Sequence, residues 1–348
     1  MKLSTGRKRL FVLMTLLGSA ALACGVAEVG LRLGGYDRTY VNPLHSFHQR
    51  DSRVGHRGKP NFTGRFHSYE FDVVVSHNEH GFRKHKTPVP AHPSQRAFVL
   101  GDSFTWGWGV GQGKVFTEAM RRLLPEFDVQ NFGLNGSGTV QQYRIFEDRI
   151  RDSLRTGDVV IVNFCFNDFS DNISSSLSAR VVDGQVETHG PRELGSTLKD
   201  ELKDASCLFN LIAYRIDHWK LEGKIEHRRR RGINPADAPL PPADDEEDAV
   251  MRHFLARFQA DCETAGARFL VAHTGSERLE TCARLAAVET LDLSPSLRAA
   301  VESGRFERID FPTDAHWNES GHMVVGEAIS EYLKGMSQIA AADGSPIR

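Results

Sequence analysis

The sequence lacks several features that would identify a common class of protein. Its 43 basic and 45 acidic side chains leave a formal net charge of −2, which argues against a nucleic-acid binder because such proteins usually carry a basic excess. Neither a P-loop nor a GxGxxG fingerprint occurs, so the sequence predicts no nucleotide cofactor. None of the five cysteines belongs to a CxxC pair, which argues against a zinc site.

The histidines and cysteines that are present do not form a metal-binding pattern. Eight of the 15 histidines lie between residues 33 and 93, but the spacing of His77 and His80 does not match HExxH. We interpret these histidines as scattered exposed side chains, with a metal site as the alternative. Cys262 and Cys282 can bridge in an oxidising compartment or remain separate buried thiols. The sequence therefore predicts no metal.

The N-terminal segment carries an uncharged run from Leu10 to Ala27 that barely reaches the length needed to span a bilayer. A basic cluster precedes this run and should stay in the cytoplasm, with the rest of the chain outside: Lys2, Arg7, Lys8 and Arg9. We interpret residues 1–32 as an uncleaved membrane anchor. One alternative is a cleaved signal peptide, which Ala21-Leu22-Ala23 favours, and another is a lipoprotein modified at Cys24. All three interpretations export the remaining chain.

The rest of the chain divides by composition and hydrophobic pattern. Residues 33–95 are rich in Gly, Pro, Asn and His and predict a small irregular or β-rich cap. Residues 96–335 alternate between strands and helices, and residues 336–348 form a tail. Residues 223–247 combine basic, Pro-rich and acidic stretches, which is typical of a solvated insertion.

The alternating region predicts an α/β fold. Four apolar segments are predicted to be strands: Ala97–Leu100, Val129–Phe132, Asp158–Phe164 and Arg268–Ala272. Four further segments are predicted to be helices: Lys114–Leu124, Gln141–Leu154, Asp248–Ala265 and Gly321–Lys334. Apolar strands that alternate with helices indicate a central parallel sheet covered by helices on both faces.

Reactive side chains follow the ends of these predicted strands, where sites collect in such sheets. Ser103 comes after Gly101-Asp102, at the start of a helix-like turn. Asp314 and His316 lie two residues apart in a late segment, so in an extended conformation their side chains point the same way. His316 can accept the Ser103 proton while Asp314 orients the imidazole. Taken singly, each is more typical of a cap, turn or surface residue.

Two other segments can supply hydrogen-bond donors to a negatively charged intermediate. Gly136 lies in the loop after the second strand and can present an unshielded backbone N–H. Asn167 follows the strongest strand and can point its amide into the cleft. Trp106, Trp108 and Trp317 flank the same segments; we predict that they pack the loops, with stacking on sugar rings as the alternative.

Together and in this order, the four segments resemble the SGNH/GDSL hydrolase superfamily. The resemblance covers roughly residues 96–335 and implies a flavodoxin-like three-layer α/β/α fold. It implies that Ser103 is the nucleophile and His316 the base. The N–H groups of Ser103 and Gly136 and the amide of Asn167 would form the oxyanion hole. No GxSxG elbow surrounds Ser103, which argues against the α/β-hydrolase fold.

The resemblance has two departures. Cys165 stands where the third block usually has glycine, and Thr313 stands where the fifth block usually has aspartate, so Asp314 takes that role. The Asp-x-His-Trp spelling resembles the SGNH-like domains of alginate and peptidoglycan O-acetyltransferases, in which this pair precedes the serine. The N-terminal anchor, Ala27–Leu33, and Asn78 with Gly81–Arg83 resemble a bacterial membrane-anchored SGNH subgroup.

These observations favour an exported serine esterase. Its substrate would be an O-acyl ester, acetyl or another short acyl group, on an envelope carbohydrate or lipid. No cofactor is expected, and the membrane is expected to be a partner through the N-terminal segment. One alternative is an O-acyltransferase that modifies an envelope polysaccharide. A second is a non-catalytic envelope module, which the presence of all four site residues disfavours.

Overall fold

The computed structural model describes residues 5–190, 198–231 and 245–342. In chain order its strands are β1 (Thr39–Tyr40), β2 (His48–Asp51), β3 (Gly55–Gly58), β4 (Thr63–His67), β5 (Asp72–Ser76), β6 (Gln95–Gly101), β7 (Phe127–Gly133), β8 (Val159–Asn163), β9 (Ser178–Val182), β10 (Gln185–His189), β11 (Arg268–His273), β12 (Glu289–Asp292), β13 (Asp310–Phe311) and β14 (Asp314–Trp317).

The helices cover both termini and the connections between strands. They are α1 (Thr5–Leu33), α2 (Pro43–Ser46), α3 (Ser103–Trp106), α4 (Phe116–Leu123), α5 (Thr139–Arg149), α6 (Asp168–Ser174), α7 (Leu198–Ala205), α8 (Cys207–Arg230), α9 (Asp245–Ala265), α10 (Glu277–Leu285), α11 (Ser294–Glu302) and α12 (Glu319–Ala342), with a 3₁₀ turn at Arg151–Ser153.

The core of the fold is a parallel sheet of five strands in the order β7-β6-β8-β11-β12. Numbered along the chain within this sheet, the order is the 2-1-3-4-5 arrangement of flavodoxin-like folds. The sheet is parallel because a helix or a longer helical segment returns the chain after each strand. The predicted fold class is therefore confirmed.

Two apolar layers bury the two faces of this sheet. Phe98 and Leu100 of β6 belong to one apolar cluster with residues of α5, α9 and α10, whereas Ala97 and Val99 belong to a second cluster with residues of α4, α11 and α12. This alternation follows from the period of two along a strand. Because both faces are covered, the central strand β8 is buried along its whole length, which explains its unbroken apolar sequence.

The region before the sheet forms a small β-rich cap, in agreement with the composition of residues 33–95. Strands β1, β4 and β5 form one sheet, and β2 pairs with β3. The cap has its own apolar cluster, in which Phe47 and Phe66 are fully buried. Trp106 from the α3 turn is part of the same cluster. The cap is thus packed directly on the turn that follows the first sheet strand.

Helix α1 extends beyond the uncharged run and has no buried residue. Its 29 residues are long and apolar enough to cross a membrane, although a signal sequence has the same character. At its C-terminal end, the Glu28 carboxylate accepts hydrogen bonds from the backbone N–H groups of Cys207 and Leu208. The helix therefore meets the main domain at the first turn of α8.

The charged segment predicted to be a solvated insertion lies only partly in the described structure. Residues 223–230 continue α8 as an exposed helix, and residues 245–247 begin α9. Residues 232–244 lie outside the described residues. Cys262 and Cys282 are buried and not bridged, which agrees with the interpretation as separate thiols.

Candidate active site

The register of the sheet brings three of the four sequence segments to one edge. Gly101 at the end of β6 pairs with Gly133 on β7 and with Asn163 on β8. The residues that follow these three positions, including Ser103, Gly136 and Asn167, therefore lie beyond the carboxyl ends of neighbouring strands. The carboxyl edge of a parallel sheet is where this fold class places its binding sites.

The turn that carries Ser103 depends on glycine and on a capping aspartate. Gly101 has φ +153°, and a Cβ there would lie 2.2 Å from Thr105 Oγ1 and 2.8 Å from the Asn163 carbonyl oxygen. Asp102 then accepts a hydrogen bond from the Phe104 N–H at 2.9 Å, as an N-cap does. Ser103 is consequently the first residue of α3, as the sequence predicted.

The structure brings Ser103, His316 and Asp314 together across 213 residues of chain. Ser103 Oγ lies 2.7 Å from His316 Nε2, and His316 Nδ1 is hydrogen-bonded to Asp314 Oδ1. Asp314 and His316 belong to the extended strand β14, so their side chains share one face. Burial alone would raise the pKa of Asp314, but the hydrogen bond and charge of His316 hold it below its usual value.

Two aromatic rings pack against the His316 imidazole. The Trp108 ring is stacked on it at 4.9 Å between centroids, with 15° between the planes, and the Phe104 ring lies at 4.7 Å. Trp106 and Trp317 are buried and pack the loops, as predicted. Trp108 does more than pack, because it contacts a predicted site residue directly; its position five residues after Ser103 gave no sign of this.

Gly136 and Asn167, two of the predicted hydrogen-bond donors to the oxyanion, have different surroundings. Gly136 adopts φ +70°, a conformation that favours glycine. Its loop is attached to the turn that carries Ser103 by the Leu134 N–H, which donates to the Gly101 carbonyl. The Asn167 side-chain amide donates to Asp171 Oδ2 at 2.6 Å. That bond uses one of the two amide hydrogens of Asn167. It also fixes the orientation of the amide, with the nitrogen toward Asp171. Asp171 was not singled out from the sequence.

Three acids influence one another next to Ser103: Asp102 and Asp168 are buried, and Asp171 is half-buried. Burial raises the pKa of Asp102, and burial together with repulsion from Asp102 raises that of Asp168. Burial also raises the pKa of Asp171 to about 6. Cys165, which replaces the glycine of the third block, is buried here, and burial and the neighbouring carboxylates raise its pKa. Each shift works against the charged form of its group, so Cys165 is a poor source of thiolate at this position.

The cap reaches the segment that carries Asp314 and His316. Glu70, in the turn between β4 and β5, accepts hydrogen bonds from the Thr313 N–H at 2.7 Å and from Thr313 Oγ1 at 2.6 Å. Burial and the nearby Asp314 raise the pKa of Glu70. Thr313 is the position at which the sequence departs from the expected aspartate. Nothing in the local sequence around Glu70 indicates this contact.

The interpretation of the cap histidines as exposed is wrong for several of them. His48, His56 and His77 are each about 3% exposed, and the ring of His48 lies 5.6 Å from that of His56 and 5.9 Å from that of His77. Trp106 Nε1 donates to His77 Nε2 at 3.0 Å, so the neutral ring carries its proton on Nδ1. Burial, with Arg83 nearby, lowers the pKa of His77 to about 4. Hydrogen bonds let two of these rings stay buried: His56 Nε2 lies 2.8 Å from the Asn135 carbonyl oxygen, and His77 Nδ1 lies 3.2 Å from that of Lys59.

Comparison with known proteins identifies the family of the chain. The GDSL-like lipase/acylhydrolase family profile matches residues 99–324, which is more than half of the chain. No curated protein matches the sequence.

Several solved structures are similar to the chain at low identity. A lipolytic protein of the G-D-S-L family from Veillonella parvula is 12% identical, with a TM-score of 0.41 over 69% of this chain and 99% of that one. A catalytic mutant of an acetylxylan esterase from Geobacillus stearothermophilus is 11% identical, with a TM-score of 0.38 over 70% and 95%. A two-domain esterase active on acetylated mannans is 12% identical, with a TM-score of 0.39 over 71% and 50%.

Proposed function

Because the chain belongs to the GDSL-like lipase/acylhydrolase family and is thereby a hydrolase of ester bonds, we propose that it is an exported serine esterase. It removes a short O-acyl group, such as acetyl, from a carbohydrate or lipid of the cell envelope. The observation that carries the proposal is the 2.7 Å contact between Ser103 Oγ and His316 Nε2, with Asp314 on the other ring nitrogen.

The proposed reaction proceeds through an acyl-enzyme. Ser103 Oγ attacks the ester carbonyl carbon while its proton moves to His316 Nε2. Asp314 stabilises the resulting imidazolium and keeps the ring in one orientation. The tetrahedral intermediate then collapses, the carbon–oxygen bond to the alcohol breaks, and His316 returns the proton to the leaving alcohol. A water molecule then attacks the acyl carbon while its proton moves to His316 Nε2. The bond between the acyl carbon and Ser103 Oγ breaks, and His316 returns the proton to Ser103 as the acid leaves.

The negative charge of the intermediate requires hydrogen-bond donors that are already in place. We assign this role to the backbone N–H groups of Ser103 and Gly136 and to the side-chain amide of Asn167. Asp171 supports the assignment because it takes one hydrogen of the Asn167 amide and leaves the other available. The bond also prevents the amide from turning its oxygen toward the oxyanion.

Export is supported by the N-terminal helix and its charge pattern. The basic cluster before the uncharged run of α1 favours a cytoplasmic N-terminus and an external catalytic domain. A reporter that is active only after export, fused after Arg348, should be active, and the protein should remain with membranes after a high-salt wash. The N-terminus of the mature protein separates the three interpretations. A protein that begins at Met1 supports an anchor, one that begins at an unmodified Cys24 supports signal cleavage, and one that begins at a lipid-modified Cys24 supports a lipoprotein. A reporter active only in the cytoplasm would contradict export.

Esterase and transferase activities can be separated in one experiment. The full chain is incubated with a short-chain aryl ester, with and without an acceptor glycan. Release of acid alone supports the esterase. Formation of acylated glycan supports the alternative, an O-acyltransferase. The Asp-x-His-Trp sequence of β14 favours this alternative. If no acid is released and Ser103 is not labelled by a serine-directed phosphonate, the chain is a non-catalytic module.

A further inference from the structure

A cleft of about 510 Å³ opens beside the candidate active site. This volume falls within the range of small-molecule sites, about 300–1,000 Å³. One wall comes from the cap, near Val41 and Ser46, and the opposite wall from α7 and α8. The lining also includes Trp108, the same residue whose ring is stacked on His316. A molecule that occupies this cleft is therefore one aromatic ring away from the proposed base.

The cleft has a positive lining. Four lysines and two aspartates contribute to it: Lys199, Lys203, Lys220, Lys224, Asp200 and Asp217. Asp217 accepts hydrogen bonds from Lys199 at 3.0 Å and from Lys203 at 2.9 Å, and these two ammonium groups hold its pKa below the usual value against the effect of burial. One carboxylate is thus shared between two lysines, and an excess of positive charge remains.

Lys220 and Lys224 supply that excess. They are exposed and lie four residues apart on α8, so they face the cleft one above the other. Within the described parts of the chain, neither forms an ion pair. Two like charges in this arrangement repel each other, and an anion between them would relieve the repulsion. Lysine side chains bind phosphate and carboxylate groups as mobile point charges.

We propose that this cleft binds an anionic group, phosphate or carboxylate, that belongs to the same molecule as the ester cleaved at Ser103. The inference rests on the proposed esterase function and narrows it to anionic substrates, such as acylated glycerol phosphates or acylated uronic acids. The anion is held by Lys220 and Lys224, and Trp108 separates it from the reacting ester. Its effect is on substrate selection, since these lysines lie outside the group formed by Ser103, His316 and Asp314.

The test compares matched esters on the full chain. One pair is O-acetylglycerol and O-acetylglycerol 3-phosphate, and the other is a methyl O-acetylgalactoside and the corresponding O-acetylgalacturonoside. The wild type should have a higher kcat/KM for the anionic member of at least one pair. The pair that shows this preference tells whether the cleft binds phosphate or carboxylate. In K220Q/K224Q the ratio of anionic to neutral kcat/KM should fall about tenfold, mainly through KM. Added salt should reduce the wild-type preference.

The control carries the same change of charge on the same helix. Arg228 and Arg229 are exposed at the far end of α8 and do not line the cleft, so R228Q/R229Q should keep the wild-type ratio. A K220Q/K224Q ratio equal to that of the wild type, or a wild-type preference for the neutral esters, would overturn the proposal.

Failure of the esterase proposal can be told apart from failure of the anion site. If the wild type cleaves none of the four esters, glycerol 3-phosphate and galacturonate are titrated into the full chain and tryptophan fluorescence is recorded, because Trp108 lines the cleft. A saturable fluorescence change in the wild type that is absent from both K220Q/K224Q and W108F would support the anion site even though the esterase proposal has failed. No saturable change with either anion removes the site itself.

Discussion

The proposed nucleophile and the proposed base are held in different ways. Ser103 follows β6, which is hydrogen-bonded to a neighbouring strand on each side, so the backbone ladder places it. His316 lies on β14, whose strand partner among the described residues is the two-residue β13, paired through an irregular register. Its segment is positioned instead by side chains from elsewhere: Glu70 on Thr313, Phe71 on Phe311, and Trp108 on His316. Changes in the cap should therefore affect the base more than the nucleophile.

The largest effect is expected at the nucleophile itself. Ser103→Ala should leave the fold intact and lower ester cleavage on the order of 10⁴-fold or more, because no other group can form the acyl-enzyme. The measurement is kcat/KM together with the thermal midpoint. Ser174→Ala is the matched control, since this serine is exposed at the end of α6 and should retain full activity. A folded Ser103→Ala protein with near-wild-type turnover would remove Ser103 from this role.

The next effect concerns the carboxylate that faces the base. Asp314→Asn should lower kcat by about 10³- to 10⁴-fold with little change in KM, because the imidazole loses its orienting anion. Asp310→Asn is the control, since Asp310 contacts Arg308 at 3.4 Å rather than His316. If Asp310→Asn proves the more damaging change, the assignment of Asp314 is wrong.

A smaller effect is expected from the ring stacked on the base. Trp108→Leu should lower kcat about tenfold and change the pH profile of kcat, because the imidazole loses an aromatic face. Trp108→Phe should restore part of the loss. Trp219→Leu is the control, because Trp219 is 72% exposed on α8. An unchanged pH profile in Trp108→Leu would mean that the ring serves packing alone.

The smallest effect tests the contact from the cap. Glu70→Gln removes one of two acceptor oxygens for Thr313, so we expect kcat to fall a few-fold, within about 1 kcal/mol, with KM unchanged. Glu79→Gln, in the exposed turn after β5, is the control. The kcat of the wild type should approach that of Glu70→Gln as the pH falls through the raised pKa of Glu70. Protonation of the Glu70 carboxylate removes one acceptor oxygen, as the substitution does. An advantage that persists at low pH would contradict this role.

The main domain could be predicted because its signals in the sequence are local. Apolar runs such as Val159–Asn163 mark buried strands, and strand–helix alternation leads to a parallel sheet. Strand ends in such a sheet meet at one edge, so Ser103, Gly136 and Asn167 could be grouped from the order of their segments along the chain. The spacing of Asp314 and His316 likewise indicated that they share one face of a strand.

Contacts between distant segments could not be obtained in this way. Burial of His48, His56 and His77 depends on how the cap packs against Trp106, and histidine composition carries no information about that. The Asn167–Asp171 bond is close in sequence but depends on the start of α6 at Asp168. The lysine cleft joins α7 and α8 to the cap across more than 150 residues, and no spacing in the sequence indicates it.

The sequence by itself determined the fold class and the order of the main strands along the chain, and it supplied the candidate side chains for ester chemistry, because hydrophobic periodicity and strand ends are local properties. Only the tertiary structure decided that Ser103 Oγ meets His316 Nε2 at 2.7 Å and that Glu70 and Trp108 hold the base segment. It also decided that a positively charged cleft opens beside Trp108. These depend on long-range packing, in which small shifts of whole elements decide whether two side chains touch.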